Sequence, residues 1–294
     1  MKNVRTVLTK SAVIIVATIV TSPAAGEDLR PGGKLILTNG ISTIEGASGG
    51  GLTPWATIAG NETRNGIGVQ GSVSVAELKD YDFRSFSLAV GLYDRVEISY
   101  AHQILDTNRI GGTLGIGNDY KFKQDVFGAK LRVVGDLVYG PEMIPAIAIG
   151  AQYRRNNNRT IVRAVGARSA DGLDYYASAT KLFLRHSVLL NVTARLTKAN
   201  QLGLLGYGGD KRNSYSVQLE GTAAYQLSRR FAIGGEYRSK PDNLSIARED
   251  DWFDVFAAYA INRHITATVA YTDLGSIATA DKQRGVLFQL QGSF

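Results

Sequence analysis

Several ionisable side chains occur singly within segments whose residues alternate between apolar and polar. Glu97, Lys130, Arg132, Lys181, Arg195, Glu220, Glu236 and Arg238 are the most prominent, and Asp254 belongs with them. Glu97 sits between Val96 and Ile98, and Lys130 and Arg132 bracket Leu131. A period of two puts such charges on one face of a strand and the apolar residues on the other. If the apolar face meets hydrocarbon, a lipid-facing Arg or Lys costs roughly 2–4 kcal/mol near the midplane, so the charged face must line an interior. Charges of both signs facing one another across a lumen can set a transverse field and select solutes. The same charges can instead pair with one another and stiffen or plug a narrow lumen. Five of the nine are basic and four acidic, too even a balance to favour anions.

Other chemistry is thinly represented. Arg248, Glu249, Asp250 and Asp251 form a charged run after Lys240-Pro-Asp-Asn243, a candidate constriction loop that could fold into a mouth and pair with basic residues of its wall. Their spacing does not match an EF-hand, so no Ca²⁺ site is expected. The glycine-rich runs 111–117 and 203–209 do not lie between a strand and a helix, which argues against phosphate cradles. Hydrolases of the Ser–His kind need a histidine base, and the chain has only His102, His186 and His264. His102 falls on an apolar face near one rim, where an interfacial lipid hydrolase could use it, but no motif places a serine or carboxylate beside it. An enzyme is therefore not expected, and no cofactor or metal is implied. The absence of cysteine excludes disulfides and thiolate metal sites.

The elements that must position these charges are strands. Alternation recurs from Ile67 to the end of the chain, as in Val96, Ile98 and Tyr100, in Phe127, Ala129 and Leu131, and in Phe253, Val255 and Ala257. Tyr176, Leu182 and Leu184 are read as facing away from Lys181. Very short connections at Asp94-Arg95, His186-Ser187, Arg229-Arg230 and Asn262-Arg263-His264 alternate with long polar or glycine-rich ones. This sorting predicts an all-β transmembrane antiparallel up-and-down β-barrel with short periplasmic turns and long extracellular loops. Tyr100, Tyr153, Tyr237, Tyr259 and Tyr271 suit an interfacial aromatic belt. The last segment, Val286 to Phe294, alternates and ends on an aromatic. It resembles the C-terminal signature of bacterial outer-membrane barrels that the barrel-assembly machinery reads, which makes Phe294 a candidate assembly signal. Counting back from a periplasmic Phe294 gives inside turns near Arg229, His186, Tyr139, Asp94 and Glu62. Two further strands near Trp55–Gly60 and Lys34–Ile41 bring the count to about 14, with 12–16 acceptable. The less regular stretches are 160–167, which could add a strand, and 34–60, which could fold inward instead.

At the other end, Lys2, Arg5 and Lys10 precede an apolar run from Ala12 to Val20 and then Thr21-Ser-Pro-Ala-Ala-Gly26. The run is shorter than the roughly 20 residues that span a bilayer. It reads as a signal peptide, residues 1–24, with cleavage between 24 and 26. The formal net charge of +7 falls to +4 once those three basic residues are removed, and no basic cluster argues for nucleic acid. Residues 27–294 then form a single outer-membrane barrel domain.

Longer blocks add a resemblance. Gly46-Ala-Ser-Gly-Gly-Gly-Leu-Thr-Pro-Trp55, Gly91-Leu-Tyr-Asp-Arg-Val-Glu-Ile-Ser-Tyr100, Asp125-Val-Phe-Gly-Ala-Lys-Leu131, Leu196-Thr-Lys-Ala-Asn-Gln201 and Ala247-Arg-Glu-Asp-Asp-Trp-Phe-Asp-Val255 together resemble the DUF3034 family over essentially the whole mature chain. That resemblance implies a shared fold and supplies no site residues. The functional expectation is a channel in the cell outer membrane that passes small solutes by diffusion, in contact with outer-membrane lipid. A closed structural or assembly-related barrel is the alternative, and a lipid-modifying hydrolase the third reading.

Overall fold

A computed structural model describes residues 33–64, 66–141 and 143–294. The expected signal peptide and the first residues of the expected mature domain lie outside them. A short inner hairpin, β1 (Ile41–Ser42) and β2 (Ser48–Gly49), precedes the strands of the wall. These are β3 (Ile67–Leu78), β4 (Asp82–Leu92), β5 (Val96–Asp106), β6 (Lys121–Val134), β7 (Ala146–Asn156), β8 (Gly172–Phe183), β9 (Val188–Thr197), β10 (Ser216–Ser228), β11 (Phe231–Arg238), β12 (Trp252–Ala260), β13 (Ile265–Asp273) and β14 (Arg284–Ser293). Every consecutive pair is antiparallel, and β14 pairs with β3, closing an up-and-down barrel of 12 strands. Closure leaves no edge strand with unpaired amides.

The expected count of about 14 is thereby corrected. The segments near 34–41 and 55–60 are not staves of the wall. From Thr38 to Gly60 every residue is buried, with no alternation of exposed and covered positions. A stave needs one face in water or lumen and one in an apolar phase, and this stretch has both faces against protein. It occupies the lumen. Residues 160–167 add no strand either, since Arg159–Ala164 forms a short helix in the β7–β8 loop.

Alternation in the wall follows from its two surroundings. In β12, Trp252, Asp254, Phe256, Ala258 and Ala260 face inward and are buried, while Phe253, Val255 and Tyr259 face outward and are exposed. Outward Tyr100, Phe127 and Tyr153 are register partners across β5, β6 and β7, with the first two rings 5.2 Å apart. Phe231 and Tyr259 form a similar pair near the opposite rim, ring centroids 6.4 Å apart. Outward aromatics thus join the exposed aliphatic side chains of the wall in an apolar outer surface of the kind a hydrocarbon layer would meet.

The expected short turns are all present, between β4 and β5, β8 and β9, β10 and β11, and β12 and β13. At the other end the long loops fold back over the lumen. Leu202, Leu204 and Leu205, Leu244 and Ala247, and Leu274 and Ile277 come from three of them. They pack with Ile44 and Leu52 of the inner segment and with Phe83, Leu105, Trp252 and Leu287 of the wall. The long-loop end is thus closed by an apolar core.

Val255 is 62% exposed midway along β12. Replacing it by Arg is expected to lower the stability of the barrel in lipid vesicles by about 2–4 kcal/mol. Urea unfolding in vesicles would read this, and an unchanged midpoint would mean that the belt does not contact hydrocarbon.

Candidate functional site in the barrel lumen

The inner segment is held by charges of the wall. Glu45, fully buried, lies among three guanidinium groups from alternate strands. Arg154 of β7 approaches its Oε1 at 2.5 Å, Arg238 of β11 the same oxygen at 3.0 Å, and Arg195 of β9 its Oε2 at 3.4 Å. Between these arginines the wall supplies Asp174 on β8, 3.1 Å from Arg154, and Glu220 on β10, which pairs with Arg195 and lies 3.3 Å from Arg238. Signs therefore alternate across five neighbouring strands. The three arginines exceed the two wall carboxylates by one charge, and Glu45 supplies the missing negative charge. Burial by itself would raise the Glu45 carboxyl, but Arg154, Arg238 and Arg195 outweigh it and hold the group well below the usual carboxylate range. Gln152 Oε1 accepts from Arg195 at 2.6 Å and from Arg154 at 3.1 Å, and the ring of Tyr176 lies 5.2 Å from the Arg195 guanidinium carbon.

Two further clamps grip the backbone of the segment. Glu97 and Lys130 pair at 3.1 Å, both buried. Glu97 accepts from the amides of Ser48 at 3.1 Å and Ala59 at 2.8 Å, while Lys130 donates to the carbonyls of Ser48 at 2.9 Å and Trp55 at 3.2 Å. Glu236 accepts from the Leu52 amide at 2.8 Å and from the hydroxyls of Thr53 at 2.6 Å and Thr222 at 3.0 Å. Arg238 donates to the Leu52 carbonyl at 3.0 Å. A Cβ on Gly50 would fall 1.9 Å from Glu236 Oε1, so any larger residue there would have to push the carboxylate out of this clamp. The Pro54 carbonyl accepts from Ser178 at 3.0 Å and Thr193 at 2.8 Å.

Both ends of the segment lie at the short-turn mouth, where the Lys34 amide donates to the Asn61 carbonyl at 3.3 Å. Lys34 pairs with Asp94 at 3.1 Å, and Arg132 pairs with the same carboxylate. A chamber of about 410 Å³ at this mouth, lined by Lys34, Thr57, Arg64, Asp94, Arg132 and Asp136, abuts the segment.

Of the eight residues expected to line a lumen, Glu97, Lys130, Arg132, Arg195, Glu220, Glu236 and Arg238 face inward and are buried. Lys181 does not. It is the register partner of outward Leu190, and its ammonium turns to the carbonyls of Asp136, Gly140 and Pro141 at 3.0–3.5 Å. It ties down the β6–β7 connection, while Tyr176 and Leu182, read as outward, are the inward residues of β8. Asp254 is inward and is the register partner of Glu236.

The expected constriction loop divides. Glu249 is buried, pairs with Lys240 at 3.0 Å and accepts from the Gln201 amide at 2.9 Å. Asp250 accepts from the Ser276 hydroxyl at 2.5 Å, and Asp251 accepts from Tyr237. Arg248 is exposed and reaches only Asp250, at 3.2 Å. These groups lash long loops to one another, and Lys240 belongs to the loop itself rather than to the wall.

Glu45, Arg154 and Asp174 were not singled out from sequence. Arg154 and Asp174 were within reach of it, since each alternates with an outward tyrosine, Tyr153 and Tyr175. Glu45 lies in a glycine-rich stretch without periodicity and carried no signal. On the outer face, Asp125 of β6 stands 2.8 Å from His102 Nδ1, a carboxylate neighbour that no motif announced. Tyr100 donates to the same Asp125 oxygen at 2.8 Å and so caps the carboxylate, whereas a hydrolase's nucleophile would bond the other ring nitrogen of His102.

A family model covers residues 38–291, described as "Protein of unknown function (DUF3034)". The chain belongs to the DUF3034 family. No curated protein matches it in sequence. Among solved structures it is similar to the KdgM porin, with TM-score 0.51 and 10% identity over 76% of this chain and 99% of that one. The KdgM porin in complex with disordered oligogalacturonate gives TM-score 0.50, with the same identity and coverage. The NanC porin gives 0.45, with 11% identity over 78% and 99%. At such identities the two KdgM structures speak for the DUF3034 barrel's fold alone.

Glu45→Ala is expected to leave a buried excess positive charge and to cost about 3–5 kcal/mol. The chain has no cysteine, so Ser48→Cys gives a unique probe. A water-soluble maleimide should label it far faster when Glu45→Ala is also present, and equal rates would show that Glu45 does not hold the segment.

Proposed function

We propose that this DUF3034 protein is an outer-membrane, porin-like channel that rests closed, with residues 34–60 as a removable plug. The observation that carries this reading is the chemistry of the plug's contacts. Its clamps are hydrogen bonds and ion pairs to Glu97, Lys130, Glu236 and Arg238, with Glu45 at the centre, and its apolar packing is confined to a few side chains such as Ile44, Leu52 and Trp55. Water entering the lumen can take over each such bond at small net cost, whereas a packed apolar contact has no comparable substitute.

Barrels of 8 strands are just filled by side chains, and barrels of 16–18 enclose aqueous channels. A barrel of 12 lies between, and one doubled chain segment fills it. With the plug withdrawn, the passage would have about that cross-section and be lined by Lys130, Arg132, Arg195, Arg238, Glu97, Glu220 and Glu236. Small, narrow solutes fit this bore. The reading also takes Phe294 as the signal for the barrel-assembly machinery and the long loops as extracellular. A hydrolase has less support, because among the described residues His102 bonds Asp125 but no serine, and Tyr100 caps the carboxylate instead of serving as a nucleophile.

Planar-bilayer recording tests the proposal. The full-length barrel should be silent, and a variant lacking residues 34–60, which also removes Ile44 and Leu52 from the apolar core that closes the long-loop end, should show discrete open steps. Silence in both, with the barrel fold verified by heat-modifiable migration, would favour a permanently closed structural barrel. Neutralising Lys130 and Arg132 in the plug-free variant should shift the reversal potential in a salt gradient.

Acid should open the channel only at extreme pH. Glu45 has a depressed value in the folded state, so its contribution is present above its unfolded value of about 4.3 and lost only as pH falls through the lower folded one. Opening through loss of the Glu45 anchor is therefore not expected between neutral pH and about pH 4 in the same recordings.

A further inference from the structure

The outer wall carries a second arrangement that transport does not use. On β4, β6 and β7, close to the long-loop rim, Arg84, Lys123 and Arg155 face outward and are exposed. Among the described residues none of the three forms an ion pair, while their neighbours Lys121 and Arg159 are occupied by Asp106 and Asp171. Register places Arg84, Ile104 and Lys123 on one row across β4–β6, and Phe86, His102, Asp125 and Arg155 on the next across β4–β7. Strands lie about 4.8 Å apart, so these cations cover a patch on the order of 10–15 Å wide. The single carboxylate on those rows, Asp125, is engaged by His102 and Tyr100 at 2.8 Å each and by Asn157 at 3.4 Å.

Directly below, past outward Phe127 and Tyr153, the wall is concave. Ala129, Ala151, Ala177 and Ala194 on four successive strands leave a shallow, open depression of about 750 Å³, bordered by Leu131 and Ile149. Small residues at these positions lower the floor, and the flanking leucine and isoleucine raise its edges. A cationic patch at the head of an apolar trough matches one kind of occupant. Phosphate groups suit Arg and Lys at a membrane surface, and a hydrocarbon chain suits the trough.

We infer that this face is a binding site for a phosphorylated lipid of the outer leaflet. The phosphate sits on Arg84, Lys123 and Arg155, and one acyl chain lies along the alanine groove. The inference rests on the reading of the apolar belt as membrane-facing with the long loops outside.

The test uses the full barrel purified in detergent and exchanged into phosphatidylcholine bilayer discs containing lipid A or its dephosphorylated form, with retained lipid read by native mass spectrometry. Wild type should retain lipid A and release the dephosphorylated form. Combined Arg84→Gln, Lys123→Gln and Arg155→Gln should weaken retention on the order of a hundredfold, about fivefold per cation removed. Ala151→Leu with Ala177→Leu should displace the chain while heat-modifiable migration stays normal. Equal retention of both lipids, or no effect of either set of substitutions, overturns the site. So does a dimer mass that the leucine substitutions abolish, since the groove would then seat a second copy. A protein that remains dispersed in water without detergent would remove the membrane reading itself, whereas a heat-modifiable barrel that retains no lipid removes only the lipid site.

Discussion

The balance of charge around Glu45 is the constraint on which the interior depends. Arg154, Arg195 and Arg238 are buried in a wall that supplies only Asp174 and Glu220 to meet them. An unpaired buried guanidinium is costly, because the arginine side chain does not shed its proton. The lumen must therefore hold water, a counter-ion or an anion of the chain. Glu45 is that anion, and because its oxygens reach all three arginines, the turn that carries it stays at one height and one rotation within the barrel. The other clamps then become possible. Ser48 comes within reach of Glu97 and Lys130, and Leu52 within reach of Glu236 and Arg238.

Closure is built differently at the two ends. Toward the short turns, polar contacts to backbone amides and carbonyls hold the inner segment, and the chamber beside Arg132 reaches it. Toward the long loops, leucines from three loops join Ile44 and Leu52 in an apolar core. Movement at the first end exchanges one hydrogen-bond partner for another. At the second it exposes apolar surface, at roughly 25 cal/mol per Å². The two ends should differ in how readily they yield.

The barrel was legible because every strand has one exposed apolar face and one enclosed face, so the period of two survives from Ile67 to Phe294. Its inner charges followed from the same rule, with one slip. In β8 the inward positions carry Tyr176 and Leu182 and the outward ones Ala177 and Ala179, so size and hydropathy point the wrong way and make Lys181 look like a lumen residue. The inner segment was harder. A chain enclosed on all sides has no face to advertise, and Gly49, Gly50 and Gly51 reflect the closeness of neighbours rather than any period. Glu45 could not be distinguished from a solvated loop carboxylate until Arg154, Arg195 and Arg238 were seen to converge on it. The His102–Asp125 pair was hidden likewise, since strand register sets it and sequence distance does not.

Lys34 and Asn61 are joined by a backbone hydrogen bond at the mouth through which the inner segment both enters and leaves. The segment is therefore a pouch pushed into the barrel from one side, and at no point does it pass through. A wall closed by β14 on β3 can be completed before the pouch goes in, and the pouch can come out again without breaking a single strand pairing. Filling and emptying the lumen are, in topological terms, independent of building it.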